Sequence, residues 1–414
     1  MIRIYPSVFR GNITAPASKD VAQRLLFASS LPPTPTTVEN VPSCRDVDTA
    51  IECLERFGCR INRSGSDVYI EPFPKTSPAA VLNLDFGQSD AAACMSLALA
   101  ASYGYRVNCR ASEILTKRHM LPLTSRMALR GVTLSSFSLP LEMQGRLEGG
   151  SYSFKGDEGS QFISAFMMAL PLLRADSSIR INGELYDEEL VRSTISVLSS
   201  FGIKTEEVPG GWDVKGGQIY ESPGSIVCEN DWALASSWIC AAALSAPSGG
   251  DITVGGLRED SAQRYRNISP LIALISQDFK EIEIDLKDAP DLATIVCAAA
   301  YFKRAKIRIN GVPELRERET NRLRTMSAVL GELGCRTEYT DSSISVDAAD
   351  RPDHTASTVV DCRQDPWIFL SFALCGGVMD GPIILSDERY ISKIYEDFLR
   401  DYAALGGSFE PVSK

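Results

Sequence analysis

Five stretches of the chain, at 91–101, 162–173, 233–244, 292–302 and 368–374, are apolar on nearly every side. A surface helix confines its apolar residues to one stripe, so a helix without a polar face is buried on most sides. These five are expected to form the interior. Short segments flanked by Gly, Ser or Asp turns run between them: Val68-Tyr69-Ile70, Tyr152-Ser153-Phe154, Trp212-Asp213-Val214 and Ser343-Ile344-Ser345-Val346. Each reads as a closing strand. The coarse order within a unit is strand, helix, strand, helix, then short strands.

A helix-ending phrase recurs, in which an apolar residue is followed by three positions, then Gly and a strand-like run. It occurs at Leu54 to Gly58, Met127 to Gly131, Leu198 to Gly202, Leu330 to Gly334 and Tyr402 to Gly406. Leu274 to Asp278 fits the remaining slot, with Asp in place of Gly. Gly takes the left-handed conformation that closes a helix and releases the chain into a strand. The slots are spaced by 73, 71, 76, 56 and 72 residues, so six units of roughly seventy fill the chain.

At 414 residues, with 44% hydrophobic and 23% charged positions, the chain is globular and long enough for two cores. Its net charge of −11 excludes general nucleic-acid binding and requires any anion site to be a local basic pocket. Eleven cysteines without C-x-x-C spacing and two histidines, His119 and His354, argue against a zinc site or a disulfide scaffold. No leader and no apolar run of about 18 residues is evident, which predicts a cytoplasmic protein with reduced thiols and no membrane partner. Cys44, Cys109 and Cys362 stand beside arginines, a weak signal for thiol activation.

The candidate chemistry lies in two helix starts. Arg316-Glu317-Arg318-Glu319-Thr320-Asn321-Arg322-Leu323 follows the loop signal Gly311-Val312-Pro313 and precedes a helical run through Met326, Val329, Leu330 and Leu333. Cations at a helix start oppose the helix dipole, so the crowding calls for an anion. A solvated surface turn can carry such charges as well. A second cationic helix start, Pro16-Ala17-Ser18-Lys19-Asp20-Val21-Ala22-Gln23-Arg24, favours a multiply charged substrate.

Together these elements resemble the enolpyruvyl transferases, and within them the branch acting on shikimate 3-phosphate. The anchors are Ala17-Ser18-Lys19 to Arg24, Gly159-Ser160-Gln161-Phe162, Asn230-Asp231-Trp232, Pro290-Asp291 and Arg318 to Leu323, in order and nearly end to end. The sister branch acting on UDP-N-acetylglucosamine fits worse, because its cysteine loop has no counterpart near residues 108–120. The resemblance implies an α/β (α+β) fold of six repeats forming two inside-out α/β barrels. One domain would span 18–229 and the other 1–17 plus 230–414, with the active site in the cleft between them. It implies a monomer that uses small-molecule substrates, with no cofactor and no metal. The enolpyruvyl group of phosphoenolpyruvate would pass through a tetrahedral intermediate to a ring hydroxyl.

The roles carried over by resemblance follow residue by residue. Lys19, Asp291 and Glu319 would be catalytic. Lys19 would touch both substrates, Asp291 would take the hydroxyl proton, and Glu319 would relay the proton at the methylene carbon. Lys19, Asp20, Arg24, Ser160, Gln161, Asp291 and Arg318 would form the shikimate 3-phosphate side, with Arg24 on the ring carboxylate. Lys19, Asp90, Arg118, Gln161, Arg322 and Lys393 would form the phosphoenolpyruvate side. Departures from the family pattern cluster here. Asp20, Gly159 and Asp187 replace serines, Glu314 an amide, Leu190 a tyrosine and Arg318 a lysine. Asp90 replaces a close-approach glycine, Cys94 an arginine, and Asp365-Pro366-Trp367 an Asp-His-Arg helix start, with Arg363 a displaced candidate for that arginine. The alternative expectation is a divergent paralogue of the same fold that is inactive, regulatory, or specific for a less anionic acceptor.

Overall fold

The computed structural model describes residues 1–75, 81–263, 265, 268–318, 320–378 and 381–412. The chain divides into two compact units, one of Ala17–Glu229 and one of Met1–Pro16 with Asn230–Lys414.

Ala17–Glu229 carries three four-stranded sheets with the same strand plan. In the first, Ser225–Val227 lies parallel to Thr36–Glu39, which pairs antiparallel with Asp67–Glu71, itself antiparallel to Arg60–Ser64. Leu82–Asp85, Val107–Arg110, Glu142–Gly145 and Val132–Leu134 repeat this order. So do Ser151–Lys155, Ser177–Asn182, Gly211–Val214 and Thr205–Val208. The other unit holds two more such sheets. One contains Glu281–Asp285, Lys306–Asn310, Ile344–Asp347 and Arg336–Tyr339. The other contains Val359–Val360, Ile383–Leu385, Ile2–Tyr5 and Ser408–Pro411. Among the described residues the sixth element is a parallel pair alone, Asp251–Gly255 on Arg10–Thr14. Six repetitions of a parallel pair thus underlie the chain, five of them extended by two antiparallel strands.

The apolar helices are interior, as their lack of a polar face requires. In one unit, Asp90–Tyr103 and Ser160–Ala169 pack together and bury nearly every side chain. In the other, Ala293–Lys303 and Pro366–Val378 do the same, with Trp232–Ser245 beside them. The strands alternate, as in Asp67–Glu71, where Val68 and Ile70 are buried while Asp67 and Tyr69 face water. Helices inside and sheets outside give each unit its own core.

All five predicted helix-ending glycines have positive φ, from 77° at Gly202 to 104° at Gly58. Asp278 does not; the Ser269–Ile275 helix ends without a left-handed residue at that slot. A side chain there faces the steric cost that Gly avoids, so the sixth unit departs from the pattern. Tyr152–Phe154 is not a closing strand. It belongs to Ser151–Lys155, which opens its sheet by pairing parallel with Ser177–Asn182. Glu142–Gly145 holds the closing place in the preceding unit. Its polar sequence carries too little β signal to be seen beforehand. No helix among the described residues is long and apolar enough to cross a membrane.

Candidate active site

In the Ala17–Glu229 unit, Lys19 is the first residue of the Lys19–Ser29 helix, and its Nζ lies 2.5 Å from Asp46 Oδ2. Asp46 comes from the first turn of the Arg45–Phe57 helix, where a carboxylate also suits the dipole. Burial opposes the Lys19 charge, but the carboxylates of Asp46 and Asp20 outweigh it and hold the ammonium well above its usual range. Lys19 is therefore a permanent cation. Burial pushes the neighbouring Cys44 thiol up to about 11, against the pull of Lys19. Cys109 is likewise raised to about 11 by burial, and Cys362 well above its ordinary value. The adjacent arginines activate none of these thiols.

Arg24 lies on the next turn and is 0% exposed. Its Nε donates to Thr194 Oγ1 at 2.8 Å and its Nη1 to the Asp20 carbonyl at 2.7 Å. Nη2 donates to Gln161 Oε1 at 3.1 Å and Ser164 Oγ at 3.4 Å. Thr194 accepts from Arg24 while its own hydroxyl donates to the Leu190 carbonyl at 2.8 Å. Among the described residues no carboxylate lies within ion-pair distance of this guanidinium. Burial accordingly lowers its pKa to about 10, with the Asp20 charge opposing. Gln161 is buried beside it, and its Nε2 has no hydrogen-bond acceptor. A buried cation and an unused donor together match a carboxylate ligand.

Arg118 pairs with Asp90, Nη2 to Oδ2 at 2.8 Å. Ser160 opens the Ser160–Ala169 helix after Gly159, whose φ of +112° disfavours the family's serine at that position. The Ser160 hydroxyl donates to the Tyr186 carbonyl, so its proton is already committed. Asp187 caps the Glu188–Ser200 helix in a left-handed conformation, φ 52°.

The second cluster lies in the other unit and centres on Asp291, which is 7% exposed in the single turn Pro290–Leu292. Its Oδ2 accepts from Tyr265 Oη at 2.6 Å and from Arg318 Nη2 at 3.2 Å, and its Oδ1 from Arg322 Nη1. Arg322 begins the Arg322–Glu332 helix and also donates Nε to Asp365 Oδ2 at 3.1 Å. Asp365 accepts there from Thr320 Oγ1 at 2.5 Å, while its Oδ1 accepts the backbone N–H groups of Trp367 and Ile368. The Asp-Pro reading was therefore in register: Asp365 caps the Pro366–Val378 helix. Trp367 places its ring 5.7 Å from the Arg322 guanidinium. The anions that the crowded helix start demands are thus supplied by the protein itself.

Of the residues that the sequence assigns to one shared cleft, Lys19, Arg24 and Gln161 lie in the first unit and Asp291, Arg318 and Arg322 in the cluster of the other. Glu319 lies outside the described residues. Lys393 ends the turn Glu388–Lys393 and is half-buried. Arg363 does not join Arg322; it pairs with Glu332 on the surface. Arg316 pairs with Asp341 at 3.0 Å. Asp46 and Tyr265 were missed. Asp46 reads as an ordinary first-turn acid, and Tyr265 belongs to no motif.

The whole chain superposes on EPSP synthase from Acinetobacter baumannii with a TM-score of 0.79, 17% identity and full coverage of both chains. The enolpyruvyl transferase NikO from Streptomyces tendae gives 0.76 at 16% identity, covering 100% of this chain and 99% of that one. The fold is that of the enolpyruvyl transferases. A 3-phosphoshikimate 1-carboxyvinyltransferase of Idiomarina loihiensis is 27% identical over 96% of both chains. One from Clostridium kluyveri is 25% identical over 100% of this chain and 99% of its own. The sequence profile of EPSP synthase (3-phosphoshikimate 1-carboxyvinyltransferase) matches residues 5–402, and the chain belongs to that family.

Proposed function

We propose that the protein transfers the enolpyruvyl group of phosphoenolpyruvate to the 5-hydroxyl of shikimate 3-phosphate, releasing phosphate, as a step toward chorismate and the aromatic amino acids. The observation carrying this reading is Arg24, a buried guanidinium bonded only to neutral groups beside the unused Nε2 of Gln161. Such a pair suits the planar ring carboxylate of the acceptor. Lys19, kept cationic by Asp46, suits the bridging oxygens of a departing phosphate. Asp291 is held by three donors in a fixed orientation, ready to accept the proton of the attacking hydroxyl. Arg318 and Arg322 then balance the charges that shift as the proton moves. On this reading the enzyme is a cytoplasmic monomer requiring no metal or redox cofactor, and light scattering on the purified chain tests the oligomeric state.

The deciding experiment incubates purified protein with phosphoenolpyruvate and shikimate 3-phosphate and follows inorganic phosphate. Release dependent on both substrates is expected; none above background at millimolar concentrations rejects the reading. One observation favours a second reading, an acceptor without the phosphate. Ser160 has its proton committed to Tyr186, and the neighbouring helix opens on Asp187, not a serine. The same assay with unphosphorylated shikimate distinguishes the two.

A further inference from the structure

Asp90 begins the Asp90–Tyr103 helix with its carboxylate on Arg118. Both side chains are shielded, Asp90 11% and Arg118 22% exposed. Three features hold the carboxylate in place. It sits at the positive end of a 14-residue helix. Cys94, one turn on, directs its Sγ to Asp90 Oδ1 at 3.5 Å. Arg118 is flanked by the Phe162 ring, 5.9 Å from the guanidinium carbon. An arriving anion therefore finds Arg118 already engaged at 2.8 Å, with a second negative charge beside it.

We propose that Asp90 is a built-in counter-ion of Arg118 that competes with phosphoenolpyruvate and sets how strongly this unit attracts that anion. The inference rests on reading Arg118 as a phosphoenolpyruvate residue. A carboxylate in contact with a guanidinium cancels most of its field and occupies the donors that an anionic ligand would use. Asparagine at this position retains the shape but removes the charge, and the helix stays capped by the Ser89 hydroxyl, which accepts from Ala92 N–H. Asp90 is thus a specificity determinant acting through Arg118.

The test is calorimetric titration of phosphoenolpyruvate into wild-type protein and Asp90→Asn, with Arg118→Gln and the double variant alongside. Removing the charge should tighten phosphoenolpyruvate binding by about tenfold in D90N. It should have no such effect when Arg118 is already Gln. Asp90→Ser serves the same purpose should D90N fail to fold. Unchanged or weaker binding in the charge-removed variant overturns the proposal, as does equal tightening in the R118Q background. Binding is measured without turnover, so a wild type that releases no phosphate counts against the proposed reaction and leaves this result separate.

Discussion

Arg24 and Arg322 are both buried guanidiniums, and the protein solves the same electrostatic problem for them in opposite ways. Arg322 is wedged between Asp291 and Asp365, so its charge is balanced within its own unit. Arg24 has two hydroxyls, a carbonyl and an amide for company, and burial lowers its pKa. Charge taken out of water is costly unless paired. Arg322 is therefore charge-balanced and fixes Asp291, while Arg24 meets no carboxylate at ion-pair distance among the described residues. The first keeps Asp291 in place; on the proposed reading, the second awaits the carboxylate of the acceptor.

The comparison can be broken most forcefully at Asp291. Asp291→Asn leaves Arg322 with Asp365 alone, bringing its setting closer to that of Arg24. A loss in kcat of about a thousandfold is expected if Asp291 moves the proton, measured by phosphate release. Arg322→Met should come next, leaving two buried carboxylates without their shared cation and lowering unfolding free energy by about 3–5 kcal/mol in a denaturant titration. Arg24→Met makes the same exchange where no carboxylate is stranded. Its unfolding free energy should change by less than about 1 kcal/mol, because the lost hydrogen bonds offset the relieved desolvation. Its KM for shikimate 3-phosphate should rise about a hundredfold, the cost of a lost bidentate carboxylate contact. Equal destabilisation by R24M and R322M would erase the distinction.

The smallest effect concerns groups that escape the problem by staying neutral. Burial raises the thiols of Cys44, Cys109 and Cys335 to about 11. A raised folded pKa means stability that is fully present below the unfolded pKa near 9 and lost as pH climbs toward 11. Each thiol should cost about 0.8 kcal/mol by pH 9.5, read from denaturation midpoints across that window and abolished by Cys→Ala at the site.

The architecture was legible wherever one residue type answered to one backbone demand. Glycine at a helix end and helices without a polar face marked the repeats, because left-handed turns and full burial leave few alternatives. Legibility failed where pairing decided the outcome. Tyr152–Phe154 is apolar and strand-like in either place; only its parallel partner makes it open a sheet. The site behaved similarly. Lys19, Arg24 and Arg322 announced themselves through charge at helix starts. Their pairings did not, since Asp46 and Asp365 lie 27 and 43 residues away from Lys19 and Arg322, and nothing in the sequence ties Asp365 to Arg322. Tyr265 is coupled to Asp291 by a hydrogen bond across 26 residues. The crowded cations near Arg318 favour a charged substrate in the sequence, whereas the anions that the structure shows there are the internal carboxylates Asp291 and Asp365.

The sheet that joins the two ends of the chain constrains how the molecule can be made. Ile2 is in register with Pro411, and among the described residues Arg10–Thr14 finds its one strand partner at Asp251–Gly255. On the ribosome, Ala17–Glu229 emerges as one continuous stretch and can assemble its three sheets at once. Arg10–Thr14 must wait for Asp251–Gly255, and Ile2–Tyr5 for Ile383–Leu385 and Ser408–Pro411, their edges unsatisfied until those strands are made. A nascent chain halted after Glu229 would carry a finished lobe and a dangling leader, which makes the opening strands the part most exposed to chaperones and proteases.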